Sequence, residues 1–104
     1  MKTPHELFGW EIAEGWYPLV NKLIEDLNKM GWDGDIHQIK EKFGGLRFYI
    51  GNGTEEILDR IWKAEEESYK ICEMCGEPGK LRHGGWKKTL CDEHEKTREK
   101  HISI

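Results

Sequence analysis

Apolar residues recur at intervals of three and four along residues 17–30: Leu19, Val20, Leu23, Ile24, Leu27 and Met30. That spacing puts one apolar stripe on one face of a helix. Pro18 stands where a first helical turn tolerates proline, and Gly31 follows as a stop. The pattern predicts a helix over residues 17–30 with Glu25, Asp26 and Lys29 on its wet side. Asp33, Gly34 and Asp35 then break the chain. Residues 36–42 read as a strand with imperfect alternation. Gly44-Gly45 marks a turn, and residues 46–50 alternate cleanly, Leu46, Phe48 and Ile50 facing one way, Arg47 and Tyr49 the other. This is a β-hairpin with one buried and one exposed face.

Gly51-Asn52-Gly53 is a second break. Thr54 is a good N-cap, and Glu55 and Glu56 put negative charge where a first turn favours it. The helix it opens runs to about Tyr69. Ile57, Ile61, Ala64 and Ser68 form one row, and Leu58, Trp62 and Tyr69 form its neighbour. Glu65, Glu66 and Glu67 read as its solvated side. The hydrophobic faces of both helices should pack on the Leu46/Phe48/Ile50 side. Residues 1–15, with Pro4, Gly9 and Gly15 around Phe8, Trp10 and Ile12, read as an irregular or partly helical lead-in. Trp10, Trp16 and Trp32 flank the first helix as core anchors, and His37 reads as structural.

A chain of 104 residues supports one compact domain. Hydrophobic residues make up 37% and charged residues 35%, so a small core gains from a metal or covalent staple. The net charge of −4 argues against a nonspecific nucleic-acid binder. The charge is uneven, however. Acids outnumber bases up to Tyr69, and bases outnumber acids from Lys70 onward, so an anion-binding face belongs in or beside the C-terminal third. Three cysteines cannot all pair within one chain. No apolar N-terminal run looks like a signal peptide, and no stretch approaches the ~20 apolar residues that span a bilayer. A reducing cytoplasm is the expected setting, where clustered Cys and His indicate metal rather than disulfides.

Such a cluster is present. Cys72-x-x-Cys75-Gly76 is followed, after a connection, by Cys91-x-x-His94. Two close pairs are the usual layout of a structural zinc site. The short spacing lets one tight turn aim two sulfurs at one ion, and Gly76 permits the backbone that turn needs. Residues 80–83 and 86–90 flank Gly84-Gly85 as a hairpin, and the charged run from Glu95 to His101 reads as a helix with Cys91 and His94 at its start. Turn, hairpin and helix start make a treble-clef arrangement. Its four protein ligands, Cys72, Cys75, Cys91 and His94, leave no open position for a catalytic water, so one structural Zn2+ is expected.

The stretches Gly15–Val20 (GWYPLV), Lys42–Tyr49 (KFGGLRFY) and Cys75–His94 (CGEPGKLRHGGWKKTLCDEH) resemble a family of small, largely uncharacterised proteins of bacteria and their phages. In that family an aromatic segment precedes a helix and a zinc segment of this pattern. The resemblance covers about residues 15–94. It implies a phage-type accessory protein acting on host machinery or host defence, in the host cytoplasm, and it implies no activity.

Two further groups of residues are candidates for binding. Lys42, Arg47 and Tyr49 could form an aromatic-basic platform on the open face of the hairpin. The plainer alternative is that Tyr49 covers the second helix and Arg47 pairs with an acid such as Glu41. Arg82, Trp86, Lys87 and Lys88, with His83, could grip phosphate. The plainer alternative there is a solvated hairpin with Trp86 closing the zinc core. Catalytic residues: none are expected, since no nucleophile elbow or phosphate-binding glycine loop occurs. A treble-clef nuclease, which His83 in the hairpin invites, is the least favoured reading, because it needs further His, Asn or Asp for a catalytic metal and the helix after Cys91 offers His94, already a zinc ligand, and His101.

The expected protein is therefore α+β: helix, β-hairpin and helix over residues 1–70, then a docked treble-clef-like zinc module over 71–104, in a single domain. The expected function is non-enzymatic binding of a host protein or a small anionic ligand. Nucleic-acid binding through Arg47, Tyr49, Arg82, Trp86, Lys87 and Lys88 is the alternative.

Overall fold

The computed structural model describes residues 10–83 and 86–102. Pro4, Phe8 and Gly9 of the expected lead-in, and the Gly84-Gly85 turn, lie outside the described residues. The architecture is α+β. A short 3-10 turn at Glu14–Trp16 leads into helix α1 (Tyr17–Lys29). Strands β1 (Ile36–Lys42) and β2 (Gly45–Ile50) follow, then helix α2 (Glu55–Ser68). A second antiparallel pair, β3 (Lys80–Arg82) and β4 (Lys88–Leu90), precedes helix α3 (Asp92–Ile102).

The apolar stripe of α1 does what its spacing requires. Val20, Leu23 and Leu27 are fully buried, Leu19 and Ile24 are half-buried against the core, and Met30 at the end of the stripe is exposed. Trp10, Trp16 and Trp32 all join this core. Helix α2 starts at the predicted cap, where the Thr54 hydroxyl accepts from the Ile57 amide at 3.2 Å. It packs on α1 and on β2. Arg60 fastens the two helices by donating from Nη2 to Asp26 at 2.9 Å, which holds the Asp26 carboxyl below its usual range.

Only one of the two rows on α2 is covered. Ile57, Ile61, Ala64 and Ser68 are buried, whereas Leu58 and Trp62 are 51% and 63% exposed. The expectation that the whole apolar side of this helix packs inward is corrected here. The row through Ile57 already fills the space offered by α1 and β2, which leaves its neighbour outside.

The first hairpin pairs Ile39 with Phe48, Lys40 with Arg47 and Lys42 with Gly45. Its turn lies one residue earlier than the glycine pair suggested. Phe43 and Gly44 are the central residues, with φ of 55° and 84°, the backbone signs of a type I′ turn. Gly45 opens β2 instead, and a Cβ there would run into the Tyr69 ring.

A two-stranded sheet leaves two rows of unpaired backbone groups. Both rows are met by other parts of the chain. On the β2 side the Leu46 amide donates to Ser68 Oγ and the Phe48 amide to Glu65 Oε2, each at 2.9 Å. Residues three apart share a helix face, so Ser68 and Glu65 together act as a substitute strand. Glu65 is therefore a sheet-edge partner, a correction to its reading as solvated surface. On the β1 side the Glu11 amide donates to Ile39 O at 2.9 Å, and Glu11 O accepts from the Glu41 amide at 3.2 Å.

Candidate metal centre

The chain leaves α2 and folds at once into a tight knuckle. The Cys72 amide donates to Glu77 O at 2.7 Å, and the Gly76 amide donates back to Cys72 O at 2.9 Å. Gly76 takes φ +83°, which explains a glycine at this position. The hairpin β3–β4 then carries the chain to Cys91. Cys91 immediately precedes α3, and its carbonyl accepts from the Glu95 amide at 3.0 Å. His94 thus falls in the first turn of that helix, as the spacing predicts.

These elements bring Cys72, Cys75, Cys91 and His94 into one cluster. One ligand atom from each lies within 4.8 Å of every other. Cys75 Sγ and Cys91 Sγ are 3.8 Å apart. A tetrahedron with metal–sulfur bonds of about 2.3 Å has an edge of about 3.8 Å, so the donors already sit on such a frame. His94 Nδ1 faces the sulfurs, 3.5 Å from Cys72 Sγ and 3.2 Å from Cys91 Sγ.

The electrostatics favour a cation at the centre. Burial pushes the Cys72 thiol up, but backbone amides of Cys91, Cys75 and Met74 outweigh it and hold the thiol at about 7, below the ordinary 9.0. Cys75 goes the other way. The Glu77 amide pulls it down, but desolvation and the neighbouring Cys72 and Cys91 sulfurs outweigh that pull. Thiolates this close repel one another, and a single divalent ion removes that repulsion. The residues therefore fit one tetrahedral metal ion.

No family model matches this chain, and no curated protein or solved structure matches it.

The cluster is docked tightly against the rest of the chain. The Gly15 amide donates to Glu73 O at 2.8 Å, and Trp16 Nε1 donates to Ile71 O at 2.9 Å. A Cβ on Gly15 would collide with the Cys72 carbonyl. Glu73, almost fully buried between the first two ligands, ties the knuckle to β4. Its amide donates to Thr89 O at 3.0 Å, and its carboxylate accepts from Lys88 Nζ at 3.1 Å. The Thr89 hydroxyl in turn donates to Gly44 O at 2.6 Å. The turn of the first hairpin is thereby joined to the second hairpin. Sequence reasoning passed over Gly15, Glu73 and Thr89. An acid inside a Cys-x-x-Cys knuckle was the one available signal, since carboxylates are seldom buried without a partner.

The other candidate residues divide. Lys42 and Trp86 with Lys87 line one cavity of about 410 Å³, together with Glu41 and Phe43. Arg47 stays on the solvent face of the first hairpin, where it donates to Leu46 O at 3.0 Å and lies 3.4 Å from the Tyr69 hydroxyl. It does not pair with Glu41, whose carboxylate accepts from the Gly44 amide at 2.7 Å. Tyr49 is 41% exposed, with Lys40 Nζ 5.7 Å from its ring centre, so it does not cover α2. Arg82 is turned away from the cavity. Its guanidinium donates to Leu90 O at 3.1 Å and to Asp92 at 2.8 Å, clamping β4 to the start of α3. The Arg82 contact holds the Asp92 carboxyl below its usual range. Lys88 is held by Glu73. Trp86 is 75% exposed, which corrects its alternative reading as a lid on the metal core. Leu90 and Thr89, the residues just before Cys91, are both buried.

Proposed function

We propose that this chain is a non-enzymatic binding protein in which one structural zinc ion fixes the relative position of two hairpins, and that the groove between them takes an anionic ligand. The observation that carries the reading is the cavity itself. Lys42 and Phe43 come from the first hairpin and Trp86 and Lys87 from the second, and they meet around about 410 Å³. Three thiolates and one imidazole are a donor set suited to zinc. With four protein donors the ion keeps no position for water or substrate, which supports a structural role. The knuckle, hairpin and helix start supply the ligands in the order of a treble clef. The resemblance to phage accessory proteins would place the ligand in a bacterial host.

Solution mapping tests this reading. Zinc-loaded, isotope-labelled protein is titrated with a heparin oligosaccharide as a generic polyanion and followed by NMR. Shifts should concentrate on the amides of Lys42, Phe43 and Lys87 and on the Trp86 indole. Shifts that avoid the groove, or none at all, would remove the reading. Among the described residues no helix is long and apolar enough to cross a membrane.

A further inference from the structure

We infer that the groove binds single-stranded nucleic acid, with bases stacked on Phe43 and Trp86 and phosphates held by Lys42 and Lys87. This rests on the reading of the groove as an anion-binding surface and names its ligand class. The argument begins with the two rings. Phe43 and Trp86 are 64% and 75% exposed and belong to different hairpins, yet they line the same cavity. Single exposed apolar residues need no explanation. Two large rings sharing one groove with two ammonium groups form a surface with a defined chemistry, aromatic faces beside positive charge. That is the composition of a sequence-tolerant single-strand platform.

The backbone at Phe43 adds an independent observation. Phe43 is the one non-glycine residue with positive φ among those described, at 55°. A type I′ turn takes Asn, Asp or Gly at this place at little cost, whereas a bulky side chain is strained there. Burial does not offset that strain, because the ring is mostly in solvent, where Lys42 Nζ stands 5.7 Å from its centre. A phenyl ring held in such a backbone and left exposed is better explained by contact with a ligand than by folding.

The same chemistry continues beyond the groove. Strand parity places Lys40 and Lys42 on the solvent face of the first hairpin. Arg47 lies opposite Lys40, and Tyr49 is the next outward residue on β2. Lys40 Nζ is 5.7 Å from the Tyr49 ring centre. From Lys42 to Lys40 the strand advances roughly 7 Å. Lys40 and Tyr49 therefore lie about one nucleotide step beyond the groove, where the next residue of a strand could reach them and a mononucleotide seated in the groove could not. A duplex hides its base faces in the stack, so it could use the lysines only. An acidic peptide would likewise engage the ammonium groups and leave the rings unexplained. One acid, Glu41, also lines the groove, and the Gly44 amide holds its carboxylate at the turn. The net charge of −4 adds no long-range attraction for any polyanion, so binding depends on the contacts made along this basic-aromatic track.

Fluorescence anisotropy of the zinc-loaded protein with a labelled short oligothymidylate tests the inference. Unlabelled duplex of equal length, an abasic oligomer, a mononucleotide and poly-glutamate serve as competitors. The single strand should bind and should outcompete all four. Trp86→Ala should weaken it on the order of tenfold, and Trp86→Phe should restore most of the loss. Two phosphate contacts predict a fall of about sevenfold between 50 and 200 mM salt, and Lys42→Gln with Lys87→Gln should flatten that response. Metal content and circular dichroism of each variant check folding, and Trp86 is exposed enough to be replaced without loss of packing. If the abasic oligomer or poly-glutamate competes as well as the single strand, the groove is an anion site without base stacking, and the inference is overturned while the broader reading stands. If the oligothymidylate does not bind but heparin still maps to the groove, the inference again fails alone. If neither ligand engages the groove, both fall.

Discussion

Removing the metal is expected to melt the second hairpin and the start of α3 and to lower the unfolding midpoint of the whole protein by roughly 20 °C or more. Among its described residues, the segment from Cys72 to His94 buries only Cys72, Glu73, Thr89 and Leu90. Apparent zinc-binding energies of about 10–16 kcal/mol in small zinc modules are as large as the net stability of a typical domain. Loss of that term also propagates, because the knuckle meets Gly15 and Thr89 meets Gly44. Thermal melts with and without chelator measure the effect, and Cys72→Ser should reproduce it without chelator. A midpoint unmoved by either treatment contradicts the expectation.

Among the described glycines, Gly15→Ala should be the most damaging substitution. The new Cβ would collide with the Cys72 carbonyl and crowd the Glu73 backbone, and none of those atoms is the free end of a side chain. Gly15 and the knuckle must then separate, which strains the 2.8 Å bond from the Gly15 amide to Glu73 O. Overpacking against backbone costs about 2–3 kcal/mol, a fall in midpoint on the order of 15 °C. Zinc content should stay at one per chain, because the four ligands are untouched. Unchanged stability in calorimetry would mean that the lead-in is not docked on the knuckle as described.

Both hairpins, the two long helices and the Cys/His cluster were legible because each leaves a local signature. A three-and-four stripe from Leu19 to Met30, a clean alternation from Leu46 to Ile50, a Thr54 cap and two Cys/His pairs all act within a few residues. What was not legible depends on residues distant in sequence. Glu65 looks like surface until β2 lies beside it, and Ser68 looks like the end of a stripe rather than a partner for Leu46 N. Glu73 and Thr89 carry contacts that exist only once the knuckle, β4 and the first turn are assembled. The exposure of Leu58 and Trp62 follows from how much space α1 and β2 leave, which no periodicity encodes. Of the proposed binding residues, Lys42, Trp86 and Lys87 converge, while Arg82 and Lys88 are held by Asp92 and Glu73. Phe43 enters only with the structure, because its turn lies one residue earlier than Gly44-Gly45 suggests.

A tetrahedral ion at the junction of knuckle, hairpin and helix is the premise on which the groove and its ligand depend. X-ray absorption at the zinc edge, combined with metal analysis of purified protein, tests it most directly. One zinc per chain should appear, with three sulfurs at about 2.3 Å and one nitrogen at about 2.0 Å. Substoichiometric metal, or a shell of oxygen and nitrogen without the three sulfurs, would contradict it.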